Sequence, residues 1–160
     1  MKIIEYNDNY LDDVRDLLVE LEEYILSIDK DNLDHLHQDY REKMALIDLE
    51  KIKEYNGKCY LYIEDDKAVG LIMGTIPTYD ENNHLDFKCP KRGEIIELIV
   101  TNKIRTKGIG KQLMERMEDY FKSQKCEYVM VDVFAYNENG IRFYSNKGYH
   151  SRMEIMIKKI

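Results

Sequence analysis

Apolar residues recur three and four apart from Leu11 through Val14, Leu17, Leu18, Leu21, Ile25 and Ile28, a stripe that predicts an amphipathic helix with one face in a core. Residues 2–6 before it read as a short strand, and Asn7-Asp8-Asn9 supplies capping side chains at the helix start. Residues 29–37 are polar and acidic, a loop. A weaker helical pattern over 38–55 stops at Asn56-Gly57. Two β-rich runs, 58–64 and 68–76, flank Glu64-Asp65-Asp66-Lys67 and predict a tight hairpin. Residues 77–92 form a long polar loop holding both prolines, and a connection of that length is more often functional than architectural. Then come a strand over 93–101, a helix over 108–124 with Ile109, Leu113, Met117, Tyr120 and Phe121 inward, a strand over 126–134, a helix over 137–147 and a last strand over 149–160. Periodicity alone gives a mixed α/β domain.

Composition narrows the class. At 160 residues the chain suits one domain, residues 1–160, with 44% hydrophobic and 34% charged residues, as in soluble globular proteins. Lys and Arg number 24 against 31 Asp and Glu, a formal charge of −7. That balance repels nucleic acid and anionic membrane surfaces, so neither is an expected partner. Cys59, Cys89 and Cys126 are odd in number and lack metal-ligand or redox spacing, and the histidines His35, His37, His84 and His150 add no ligand pattern, so no metal is expected. The N-terminus lacks a long apolar stretch and no run approaches a spanning helix, which together with the free thiols points to the cytoplasm.

The most informative segment is Arg105-Thr106-Lys107-Gly108-Ile109-Gly110, which follows the apolar run Ile95 to Val100 and opens a helical pattern. Glycines one residue apart allow a tight turn whose successive N–H groups can face one anion, with the positive end of a helix behind them. A P-loop is excluded by spacing, because Arg105 and Gln112 stand where Gly and Ser or Thr are needed. A dinucleotide fingerprint fails too: Leu113 occupies the place of the third small residue.

Downstream lies Asn137-Glu138-Asn139-Gly140-Ile141-Arg142-Phe143-Tyr144-Ser145-Asn146-Lys147-Gly148-Tyr149. Together the two blocks resemble the GCN5-related N-acetyltransferase (GNAT) family, whose pattern is Arg or Gln-x-x-Gly-x-Gly or Ala, followed later by Asn-x-x-Ala-x-x-x-Tyr-x-x-x-Gly-Phe or Tyr. Only Gly140 departs, standing where Ala is usual. The resemblance implies a GNAT-type α/β (α+β) fold of order βααβββαβαβ: a mixed, mostly antiparallel central sheet, helices on both faces, and two strands splayed around an acetyl-coenzyme A cleft, helped by a bulge.

The same resemblance assigns roles. Amides of Arg105, Thr106, Lys107, Gly108, Ile109, Gly110 and Lys111 would hold the pyrophosphate, with Arg105 and one of Lys103, Lys107 or Lys111 adding charge. Main-chain groups of Leu98, Ile99 and Val100 would pair with pantetheine, and Asn137 would bind the cofactor while also capping its helix. Tyr144 is in register with the family's general acid. Its ordinary pKa of about 10 keeps it protonated at neutral pH. Glu97 is the candidate base: strict alternation places it beside Ile95 and Ile99, where burial would raise its pKa. An ordered water is the alternative base.

The implied activity is direct acetyl transfer from acetyl-coenzyme A to a primary amine of a small molecule or peptide; the alternative is a non-catalytic acyl-coenzyme A sensor on the same fold. Asp29, Asp31, Asp34, Asp39, Asp80, Glu81 and Asp86 crowd the segments expected to receive the acceptor and suggest that it is cationic. Pairing of two copies through the last strand would be compatible with the fold.

Overall fold

The computed structural model describes residues 2–104 and 108–160. Met1, Arg105, Thr106 and Lys107 lie outside the described residues.

The sheet has five strands in sequence order: β1 (Lys2–Glu5), β2 (Lys58–Glu64), β3 (Lys67–Thr75), β4 (Arg92–Val100) and β5 (Tyr128–Val131). The first three pairings are antiparallel and the β4–β5 pairing is parallel. The hairpin between β2 and β3 turns on Asp65 and Asp66, both at positive φ, a conformation that short polar side chains tolerate.

Among the described residues the α-helices are α1 (Leu11–Ile28), α2 (Tyr40–Glu54), α3 (Ile109–Ser123) and α4 (Glu138–Ser145). The apolar stripe of α1 does what its spacing predicts, burying Val14, Leu17 and Leu18, while Leu11 and Leu21 sit at the margin. With Ala45, Leu49 and Ile52 of α2 these side chains cover one sheet face, against Leu61, Leu71 and Met73. The other face receives α3 through Ile109, Leu113, Met117 and Phe121, against Tyr60, Ile72 and Ile95. Gly93 is required there, since a Cβ would overlap the Phe121 ring. Among the described residues no helix is long and apolar enough to cross a membrane.

Two expected strands differ. The run 126–134 is strand only over its middle four residues, because β5 pairs with β4 from Arg92 to Ile95 and no further. Residues 150–160 form no strand at all, and Met153, Ile155 and Met156 are 83–90% exposed. Their alternation suits a strand, but a strand exists only with a partner edge. The α4 region follows the sequence closely: Asn137 caps the helix, accepting from Gly140 N at 2.9 Å, and Gly148 at φ 89 follows its end.

Candidate active site

The site begins with a defect in β4. Met73 pairs with Glu97 and Gly74 pairs with Ile95, so Ile96 is an extra residue, a β-bulge. The bulge corrects the face expected for Glu97. Before it, Gly93 and Ile95 point toward α3; after it, Glu97 shares the α1–α2 face with Ile96 and Ile99. Ile95 is therefore on the opposite face from Glu97. The parallel ladder to β5 ends at Ile95–Val131, so the two strands separate where Glu97 turns inward.

A cavity of about 290 Å³ occupies that separation. β4 contributes Ile95 to Leu98, the chain beyond β5 contributes Asp132 and Phe134, α1 contributes Glu22 and Ile25, α2 contributes Tyr40 and Met44, and Asn137 and Tyr144 close it. Another depression of about 550 Å³, bordered by Tyr6, Leu49 and Lys58, includes none of the motif residues.

Burial, supplemented by the nearby charge of Asp48, pushes Glu97 up to about 8, against partial relief from Lys51. The isoleucine surroundings anticipated from the sequence thus have the anticipated effect, although Ile96 replaces Ile95 as a neighbour. Tyr144 is pushed up to about 12, first by burial and then by the charge of Glu97, which places the two groups within electrostatic reach of each other. Its ring also meets Tyr149, whose hydroxyl donates to Glu118 of α3 at 3.1 Å. Those contacts orient Tyr144 from behind.

The glycine turn lies further along. Gly108 is at φ 70 immediately before α3, and a Cβ built there meets no described atom within 4 Å. The first bond of the helical ladder is Gln112 N to Gly108 O at 3.1 Å, so the amides of Ile109, Gly110 and Lys111 precede it at the helix's positive end. A Cβ at Gly110 would make ordinary contact with Phe143 at 3.6 Å and Val100 at 3.8 Å, so the downstream motif helix packs against the upstream motif turn. Arg105, Thr106 and Lys107, the first half of the expected cradle, lie outside the described residues. Lys111 is 69% exposed and pairs with Glu115 at 3.8 Å.

Two supports escaped sequence reasoning. Glu20 of α1 accepts from Thr101 Oγ1 at 2.8 Å and from Asn102 N at 2.7 Å, fixing the chain as it leaves β4. Tyr24 donates to Asn137 Oδ1 at 3.0 Å, the same oxygen that accepts from Gly140 N in the cap. The place of Glu20 one turn before Tyr24 on α1 gave no signal without the fold. A Cβ at Gly140 would lie 2.6 Å from Asn137 Nδ2, so alanine there would require the capping side chain to shift.

Of the seven acids expected to receive a cation, Asp29 and Asp39 have partners of their own. Asp29 accepts from the amides of Asp31, Leu33 and Asp34, and Asp39 pairs with Lys43 at 2.6 Å. The acids that line the cavity are Glu22, Glu97 and Asp132.

Residues 13–149 match the model of the acetyltransferase (GNAT) family. The chain belongs to that family. An uncharacterised N-acetyltransferase of Methanocaldococcus jannaschii is 33% identical over 96 residues, 59% of this chain and 54% of that protein. Glucosamine 6-phosphate N-acetyltransferase of Arabidopsis thaliana is 28% identical over 89 residues, 56% of this chain and 59% of the relative. The chain thus spans between half and three-fifths of these relatives' length. Among solved structures, a mutant of a Bacillus halodurans protein superposes with a TM-score of 0.87 at 16% identity, covering 100% of this chain and 99% of that one. An aminoglycoside N-acetyltransferase in complex with coenzyme A superposes with a TM-score of 0.70 at 14% identity, covering 99% and 98%. These likenesses establish the mixed α/β GNAT fold.

Proposed function

We propose that this protein transfers an acetyl group from acetyl-coenzyme A directly to a primary amine. The observation that carries the reading is the convergence of Glu97 and Tyr144 in one cavity at the point where β4 and β5 part. The chain's own features fit the coenzyme. Past Ile95 the β4 main chain, through Leu98, Ile99 and Val100, leaves its β5 partner behind, where pantetheine could add as a strand. Gly108 offers a turn that no described atom crowds, and the amides of Ile109, Gly110 and Lys111 lie in the first turn of α3, as a pyrophosphate site requires. Asn137 Nδ2 would donate near pantetheine.

Acetyl-coenzyme A, when bound, supplies an electrophilic thioester carbonyl and a thiolate leaving group. Glu97 takes a proton from the incoming ammonium, directly or through one water; the neutral nitrogen then forms the C–N bond as the C–S bond breaks, and the second proton it sheds on becoming an amide goes to the departing thiolate. A carboxyl near 8 is matched to that task, since its conjugate base is strong enough to compete for an amine proton. Tyr144 keeps its hydrogen at physiological pH and donates a hydrogen bond to the sulfur as charge develops there. Complete proton release from a phenol near 12 to a thiolate of ordinary pKa, about 8.5, would be uphill by more than three units, so donation rather than full transfer is its main contribution. None of the three cysteines lines the cavity, which agrees with direct attack.

Release of free thiol from acetyl-coenzyme A, followed over a panel of primary amines, tests the reading. Amine-dependent turnover supports it; tight coenzyme binding with no turnover on any amine would leave the sensor alternative instead.

A further inference from the structure

Glu20 and Tyr24 stand four residues apart on α1, so they project from one side of that helix, beside the apolar stripe that fixes it to the sheet through Val14, Leu17 and Leu18. Each holds a different segment of the cleft. The Glu20 carboxylate takes hydrogen bonds from two adjacent residues: Oε2 accepts from Thr101 Oγ1 at 2.8 Å and Oε1 from Asn102 N at 2.7 Å. Thr101 is buried, and its own N–H donates to Val69 O at 3.0 Å, so the chain is gripped from two sides as β4 ends. Six residues beyond Asn102 stands Gly108, the left-handed residue before α3.

Tyr24 serves the opposite wall. Its hydroxyl and Gly140 N both donate to Asn137 Oδ1, at 3.0 and 2.9 Å, so the amide cannot flip without losing two hydrogen bonds. Asn137 lines the cavity; Glu20 and Tyr24 do not. The two held segments also lead to one contact, since a Cβ on Gly110 would lie 3.6 Å from Phe143 of α4 and 3.8 Å from Val100 at the end of β4. One helix, itself packed on the sheet, thus ties down both the exit from β4 and the entry to α4. A cleft assembled from distant segments binds best when those segments are fixed before the ligand arrives.

Building on the acetyl-transfer reading above, we propose that Glu20 and Tyr24 are positioning residues for coenzyme A, each for a different part of it: Glu20 presets the turn that receives the pyrophosphate, and Tyr24 presets Asn137 beside pantetheine. Neither touches the reacting atoms. Losing the Glu20 carboxylate leaves the Thr101 hydroxyl and the Asn102 amide without their acceptor and loosens the chain leading to Gly108; losing the Tyr24 hydroxyl loosens Asn137.

Two fragments of the coenzyme separate the roles: adenosine 3′-phosphate 5′-diphosphate, which carries the pyrophosphate without pantetheine, and pantetheine alone, each titrated into the protein by calorimetry. Glu20→Ala should weaken nucleotide binding about tenfold and pantetheine binding by less than about twofold, whereas Tyr24→Phe should weaken pantetheine about fivefold and spare the nucleotide. With acetyl-coenzyme A both variants should act through KM, leaving kcat within about twofold. A purely structural role would weaken the two fragments together in both variants. Equal losses on the two fragments, or undiminished nucleotide affinity in folded Glu20→Ala, overturns the assignment. Should Glu20→Ala not fold, Glu20→Gln offers one acceptor oxygen to two donors and carries the same test, with an expected loss of about threefold confined to the nucleotide. The expected fragment pattern without turnover on any amine would refute acetyl transfer while upholding the positioning roles; failure of the unmodified protein to bind the nucleotide would refute the cradle and the role of Glu20 with it.

Discussion

Replacing Glu97 with glutamine separates stability from catalysis in a way that depends on pH. A carboxyl held near 8 in the folded protein and near 4.5 in the unfolded chain binds its proton more tightly when folded. Folded stability from this group is therefore fully present below pH 4.5, falls as pH rises from 4.5 to 8, and levels off above 8. At 1.36 kcal/mol per pH unit, the whole displacement corresponds to an upper bound of about 5 kcal/mol. Glutamine has nearly the same shape and never ionises, so it escapes the penalty. Between pH 6 and pH 9 the stability of Glu97→Gln relative to the unmodified protein should grow by about 2.5 kcal/mol, water penetration reducing that figure. Denaturant midpoints for both proteins at the two pH values, converted with a shared m-value, give the number. A difference constant across pH would mean that Glu97 ionises as in water, and the argument for a desolvated base would be lost. The same variant should lower kcat by a factor of about 10² to 10⁴, the usual contribution of a positioned base.

Tyr144→Phe should reduce kcat by about tenfold to a hundredfold while calorimetric affinity for coenzyme A stays within about twofold, because the hydroxyl is needed only as the thiolate develops; an unchanged kcat would remove Tyr144 from the chemistry. Gly108→Asp should abolish coenzyme binding by setting a carboxylate against the phosphates, with a fold intact by circular dichroism, since the added Cβ meets no described neighbour; retained binding would refute the cradle. Gly93→Ala should cost about 1 to 3 kcal/mol and several degrees of Tm, because its methyl would overlap the Phe121 ring; an unaltered Tm would show that the α3 face is loosely packed.

How much of this was legible beforehand follows from the range of each interaction. The α1 stripe, the Asp65-Asp66 turn and the Asn137 cap depend on residues a few positions apart, and all three form as their spacing suggests. The length of β5 depends on where a distant strand diverges, and the tail at 150–160 shows that alternation without an edge to join yields no strand. Tyr144 and Glu97 could be singled out by motif register and by a carboxylate in an apolar run. Glu22 and Asp48 could not: each reads as one more acid on a charged helix until α1 and α2 are laid over β4.

The bulge at Ile96 is where these strands of argument meet. Without the extra residue, Glu97 would keep the phase of Gly93 and Ile95 and project among Leu113 and Met117 on the α3 face. With it, the carboxylate turns to the α1–α2 face, beside Asp48 and within reach of Tyr40. The ladder to β5 ends at the residue just before the bulge, so the opening between the strands and the reversal of the carboxylate's direction occur together. A one-residue insertion thus couples the cleft that would admit a thioester to the group that would deprotonate its amine partner. Alternation read along the sequence could not show this, because an inserted residue inverts every position that follows it.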